Sequence, residues 1–355
     1  MSERHPAQDD HAQHHPHPTQ DDHAQHHPTQ DDCDCDRDYD HAPRPSVTLP
    51  VADRVRPIPS DLDNTPPDPD TSVTLPPGVA DRVRLIASDL DNTLLGPDMS
   101  VTPRTRAAIA AAAAAGVLVV AATGRQLATL PLSLAATDID YVLASNGSHA
   151  CRISTGETLF TQTFDAQTQA AVAAHLAARV PGVLFGAARD AGDTFVSEPG
   201  YTDLMDPAEL ATDRRTHVTA PRADVVSRPA IKLIARHPSV PPDELLAVLA
   251  ASGLPGFHAT TSGAPFLEVA APGVTKATGL ARLCALLGVA REEVLACGDA
   301  RNDVELLAWA GCGVAVANAV PEALAAADVI APACAEDGFA QVVEAVLSGR
   351  TPAER

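Results

Sequence analysis

The hexapeptide SDLDNT sets two aspartates two residues apart, and it occurs twice, at residues 60–65 and 88–93. On a strand-like backbone alternate residues project the same way, so each copy would present two carboxylates together. Farther along, GDARND supplies Asp299 and Asp303, and GVTKATG supplies Lys276. Four carboxylates in one crevice repel each other strongly unless a cation joins them. Oxygen-rich, sulfur-free ligation favours a hard ion, and Mg²⁺ held by a few carboxylates plus a substrate phosphate satisfies it economically. A carboxylate nucleophile, a second carboxyl group to shuttle a proton, a magnesium ion and a lysine together make a phosphoryl-transfer site. The carboxylate would attack phosphorus to give an aspartyl-phosphate that water then hydrolyses.

The flanks decide which copy has a scaffold. Asp89 and Asp91 follow RVRLIA, an apolar run of strand formers, and lead through a loop into a helix. Asp61 and Asp63 are preceded by RPIP and followed by PPDPD. Proline has no N–H to donate and is largely excluded from central strands, so this copy is not expected on a buried strand. The surrounding segment SVTLPVADRVRPIP reappears as SVTLPPGVADRVRLIA, which marks the first copy as a degenerate tandem duplicate.

From residue 80 onward short β-branched runs alternate with helical stretches. VRLIAS, VLVVAA, YVLAS, EVLAC and GVAVA read as buried parallel strands. Thr102 is a candidate helix cap, with Pro103 at the first helical position and Gly116 just past the end. This alternation predicts a doubly wound, Rossmann-like α/β sheet. Its strands end in polar groups: Asp89 and Asp91; Thr123, Gly124 and Arg125; Ser145 and Asn146; Asp299. Carboxyl ends of parallel strands converge on one crevice, so motifs far apart in sequence meet there.

The chain has 355 residues, 45% of them hydrophobic but only 3% aromatic, so its core must be built from Ala, Val and Leu. The formal charge is −21, and residues 1–80 carry 16 acidic side chains against five arginines. There is no basic stripe to track a nucleic-acid backbone, which argues against nucleic acid as partner. No apolar segment reads as a signal peptide or membrane span, and most of the seven cysteines lie in apolar runs, as buried thiols do in a reducing compartment. A cytoplasmic protein, monomeric or weakly dimeric, is the expectation. Residues 1–79 form a His/Asp/Pro-rich extension in which QDDHAQHHP repeats at a twelve-residue offset. Its composition predicts disorder; its histidines, with Cys33 and Cys35, also suit a borderline divalent metal.

Four ordered motifs, DLDNT, ATGR, the lysine of GVTKATGL and GDARNDVELL, give residues 83–347 a resemblance to the haloacid dehalogenase superfamily of aspartate-nucleophile phosphatases. The SNG at 145–147 and the closing VANAVPEALAAADVI with EDGFA resemble its Cof-type branch. The resemblance implies Asp89 as nucleophile and Asp91 as general acid and base. It implies Mg²⁺ on the Asp89 carboxylate, the Asp91 carbonyl and Asp299. It also implies a phosphate held by Leu90, Thr123, Gly124, Lys276 and Asn302, with Asp303 orienting the lysine or a metal-bound water. Asn92 departs from the glycine of many relatives, but asparagine tolerates unusual backbone angles.

The implied organisation is a core of residues 80–161 and 265–355 around an α+β cap of residues 162–264, which closes over the site and selects a small phosphorylated metabolite such as a sugar phosphate. Within that cap Arg214, Arg215, His217, Arg222, Arg228, Lys232 and Arg236 are candidates to meet the leaving group. Lys232 lies on an alternating strand and can point outward or into the cleft. Three other readings remain: a phosphomutase or phosphotransferase on the same scaffold, a metal-binding protein acting through its His-rich tail, and a silent ligand-binding relative.

Overall fold

The computed structural model describes residues 73–350. The His-rich repeat, Cys33 with Cys35, and the first SDLDNT copy lie outside the described residues. Five strands come first: β1 (Leu85–Ser88), β2 (Leu118–Ala122), β3 (Tyr141–Ala144), β4 (His149–Arg152) and β5 (Glu157–Thr161). Six follow: β6 (Leu184–Arg189), β7 (Thr194–Ser197), β8 (Thr216–Thr219), β9 (Lys232–Arg236), β10 (His258–Thr260) and β11 (Leu267–Ala270). The last three are β12 (Val294–Gly298), β13 (Cys312–Val316) and β14 (Val329–Ala331).

The first and last groups share one sheet in the order β14-β13-β12-β1-β2-β3-β4-β5. Pairing is parallel from β14 through β3 and antiparallel across β3, β4 and β5. All five runs read as parallel strands from the sequence take those places. Alternate residues of β1 bury opposite faces. Ile86 packs with Ile109 and Ala112 of helix Pro103–Ala114 and with Val342 and Val343 of helix Gly338–Ser348. Leu85 and Ala87 pack with Leu280 and Leu283 of helix Lys276–Leu287. Helices on both faces explain why these strands read as continuous apolar runs. The expected cap forms: the Thr102 hydroxyl accepts from the Thr105 amide at 3.1 Å, and Gly116 sits at φ 73°.

β6 to β11 build a second sheet, ordered β10-β11-β9-β6-β7-β8 and antiparallel except between β7 and β8. One face packs on helices Ala166–Arg179 and Pro242–Ala250: Phe185, Leu233, Ala235, Leu267 and Val269 meet Val172, Leu176, Leu245 and Leu249. The sheet runs past residue 264, the expected end of the inserted unit, because β11 pairs with both β9 and β10. Its charged residue, Glu268, hides an apolar strand behind the turn residues SGAP. Among the described residues no helix is long and apolar enough to cross a membrane. Cys151, Cys284, Cys297 and Cys312 are buried free thiols.

Candidate active site

β1 lies between β12 and β2, so the chain leaves it in one direction and returns on the other side; this is where a crevice opens at the carboxyl ends of the strands. Asp89 follows β1 directly. Lys276, fully buried, donates to the Asp89 carboxylate and the Asp303 carboxylate, each at 2.7 Å. The second oxygen of Asp303 accepts from the Asp299 and Ala300 amides at 3.1 and 3.0 Å, which fixes the loop after β12. Only glycine permits this: a Cβ on Gly298 would come within 2.5 Å of the Asp303 side chain. Asp299 accepts from the Thr93 hydroxyl at 2.9 Å.

Asp89, Asp299 and Asp303 are all buried and offer carboxylate oxygens within 4.8 Å of one another. Burial raises the Asp89 pKa well above the usual carboxylate range; Lys276 opposes this, and Asp303, Asp299 and Asp91 add to it. Asp299 is pushed up to about 6, by burial first and by Asp303 second. For Lys276 burial works downward, but Asp303 and Asp89 prevail and raise its pKa. Three carboxylates thus face one ammonium. The charge deficit is that of one divalent cation, and an all-oxygen donor set suits a hard one.

Asp91 lies apart from this cluster, about one-third exposed, and Arg125 grips it with both arms at 2.8 and 2.7 Å. Arg125 was legible as part of ATGR but does not appear among the residues the family resemblance assigns a role. Asn92 adopts φ 57°, the left-handed geometry asparagine tolerates. Thr123 is buried at the end of β2, and its hydroxyl accepts from the Arg125 amide at 3.1 Å. Asn302 donates to the Asn146 side-chain oxygen at 2.9 Å, which ties the loop after β12 to the turn after β3. That turn sits tight on helix Lys276–Leu287: a Cβ on Gly147, at φ 99°, would lie 2.2 Å from the Thr275 carbonyl oxygen. Leu90 contributes no side chain to the site; it packs in the core, and its carbonyl accepts from Leu94 and Leu95, so only main-chain groups remain to meet an anion.

A cavity of about 360 Å³ lies over Asp89, Asp91, Gly124 and Asn302, roofed by Phe195, Tyr201, Arg215, Lys232, Ile234 and Glu268. Of the seven cations weighed from sequence, Arg215 and Lys232 line it. Lys232 points into the cleft, forms a short ion pair with Glu268 and donates to the Gly124 carbonyl at 2.7 Å. Burial lowers its pKa, against the opposing pull of Glu268. Arg215 stacks 4.1 Å over Phe195 and pairs with Asp213. The other five do not border it; among them Arg222 meets Glu198, and Arg236 meets Glu209.

A model of the haloacid dehalogenase-like hydrolase family matches residues 86–343. The chain belongs to this family. It is 40% identical over 106 residues to a phosphoglycolate phosphatase of Methanoculleus marisnigri, a match spanning 30% of this chain and 44% of that protein. It is 28% identical over 259 residues to YxeH of Bacillus subtilis, covering 69% and 92% of the two chains. A structure described as a subclass IIB sugar phosphatase of the superfamily superposes with TM-score 0.65 at 21% identity, over 74% of this chain and 98% of the other, which establishes the shared fold.

Proposed function

We propose that this hydrolase is a Mg²⁺-dependent phosphatase of small phosphomonoesters, working through an aspartyl-phosphate on Asp89. The observation that carries the reading is the buried trio Asp89, Asp299 and Asp303 around the single ammonium of Lys276. Asp89 and Asp299, with the Asp91 carbonyl, would hold the ion, which when bound supplies charge neutralisation for the transferring phosphoryl group. The Asp89 carboxylate attacks phosphorus, the bond to the ester oxygen breaks, and Asp91 gives that oxygen a proton. Water then attacks the same phosphorus, loses its proton to Asp91, and frees Asp89 and inorganic phosphate. Arg125 holds the Asp91 carboxylate in one orientation, and a bidentate guanidinium fixes direction better than a point charge. Thr123, the Gly124 amide and Asn302 border the place of the phosphate, and Lys276 neutralises its charge.

Residues 162–270 act as the cap, with the second sheet's polar face as the roof over the leaving group. Relatives named as phosphoglycolate and sugar phosphatases support a small phosphorylated metabolite as substrate. The test is phosphate release from a panel of phosphomonoesters by wild type and Asp89→Asn, with Mg²⁺ and with EDTA. Release that needs both Mg²⁺ and Asp89 is expected. Transfer of the phosphoryl group to an added sugar without free phosphate would identify a phosphotransferase, and no turnover under any condition would overturn the reading.

A further inference from the structure

Besides Oδ1 of Asn302, a residue already placed beside the phosphate, two buried polar atoms of cavity-lining residues have no hydrogen-bond partner: Oε2 of Glu268 and Nε2 of Gln126. Both residues border the cavity, and they are 2% and 4% exposed. A buried acceptor or donor without a partner has given up its water and gained no bond in return, so a pair of them in residues beside one cavity points to a ligand that completes both. Their identities are fixed by their neighbours. Gln126 turns its oxygen to the Arg215 guanidinium at 3.3 Å, which leaves its NH₂ as the open group. Glu268 gives its other oxygen to Lys232. Both side chains are also held in place: a Cβ on Gly192 would lie 2.9 Å from the Gln126 Cβ, and Lys232 is anchored on the Gly124 carbonyl. Glu268 stands next to the proposed phosphate site, since a Cβ on Gly124 would lie 3.3 Å from its Oε1.

An open acceptor and an open donor suit a hydroxyl group, which can give a proton to one and take one from the other. A carboxylate cannot, because it has no proton for Glu268. Charge points the same way. The cavity is bordered by the carboxylates of Asp89, Asp91, Asp206, Glu209, Asp213 and Glu268 against Arg125, Arg215 and Lys232. Each of those three cations already has a carboxylate partner within the cavity wall: Asp91, Asp213 and Glu268.

We propose that Glu268 and Gln126 are specificity-determining residues that read the terminal hydroxyl of a short polyol leaving group, and that the enzyme discriminates against esters with a carboxylate in its place. The inference rests on the phosphatase reading above. In the reaction, such a leaving group departs as a neutral polyol.

Three esters on a three-carbon frame test it: glycerol 1-phosphate, 3-phosphoglycerate and propyl phosphate, with p-nitrophenyl phosphate as reference. Wild type is expected to favour glycerol 1-phosphate in kcat/KM over both others by about tenfold or more. In Glu268→Gln the new amide can donate to a carboxylate, and the ratio of glycerol 1-phosphate to 3-phosphoglycerate falls by about tenfold. Gln126→Leu lowers glycerol 1-phosphate and spares propyl phosphate. General damage to the fold would instead lower all four esters together. Should Lys232, left without its partner, prevent Glu268→Gln from folding, the Lys232→Met/Glu268→Gln double variant removes both charges and is read by the same ratio. Equal use of glycerol 1-phosphate and 3-phosphoglycerate by wild type overturns the proposal, as does an unchanged ratio in a folded variant. Turnover of p-nitrophenyl phosphate without any of the three-carbon esters overturns it and leaves the phosphatase reading standing. Failure on all four removes the phosphatase reading, and this proposal with it.

Discussion

The floor and the roof of the cavity are built on opposite plans. The floor collects its groups from the ends of parallel strands, where the chain turns sharply and several polar residues follow one another, so Asp89 with Asp91 and Asp299 with Asp303 come as short runs. The roof takes its groups from the face of an antiparallel sheet, where each polar residue is separated from the next by one that packs on the helices behind. Lys232 and Ile234 face the cavity, while Leu233 and Ala235 belong to the hydrophobic cluster. Chemistry concentrated in runs leaves motifs. Recognition spread over alternate positions leaves almost none.

If that division is right, floor substitutions reduce turnover of every ester, and roof substitutions re-rank esters. The largest effect belongs to Asp89→Asn, expected to lower kcat on the order of 10³-fold or more for all esters, measured by phosphate release. Arg125→Lys keeps the charge and loses the two-armed grip on Asp91; kcat falls about 10- to 10²-fold with KM little changed. Gly147→Ala forces a Cβ against the Thr275 carbonyl at positive φ and destabilises the fold by about 1–3 kcal/mol in urea melts, without altering the order of preferred esters.

A pH series tests the floor alone. Asp299, pushed up to about 6, favours the folded state most fully below the ordinary carboxyl value of 3.8, and that contribution is lost as pH rises through about 6. Metal-free protein therefore loses this contribution between those values. Mg²⁺ must displace the same proton, so it should raise the Tm by about 5 °C at pH 7.5 and clearly less at pH 5.5. Equal shifts at the two values would contradict the assignment of Asp299 as a ligand. The smallest effect is expected from Asp61→Asn in the duplicate motif: kcat/KM within about twofold of wild type.

Most of the floor was legible because a β-branched run, a following aspartate and a helix cap all point to the same element. Asp89, Thr123, Lys276 and Asp299 stand at strand ends or at a helix start marked by such local signals. Arg125 was visible next to Thr123, yet its hold on Asp91 depends on two loops meeting in space, which no spacing encodes. Glu268 was hidden for another reason. The charged residue breaks the apolar run of FLEVA, and only the partner Lys232, 36 residues earlier, makes its burial tolerable. The strand β8 was missed because its four residues are all exposed and carry no apolar alternation.

The alternation along β9 has a practical consequence for protein engineering. A library that randomises only Ile234 and its cavity-facing neighbours on adjoining strands would reshape the space above the phosphate while the helix-facing residues, and with them the hydrophobic cluster, keep their wild-type identities. Lys232 is the position to hold constant in such a library. Through the Gly124 carbonyl it joins the variable surface to the invariant one, so new selectivities could be screened without rebuilding the machinery beneath.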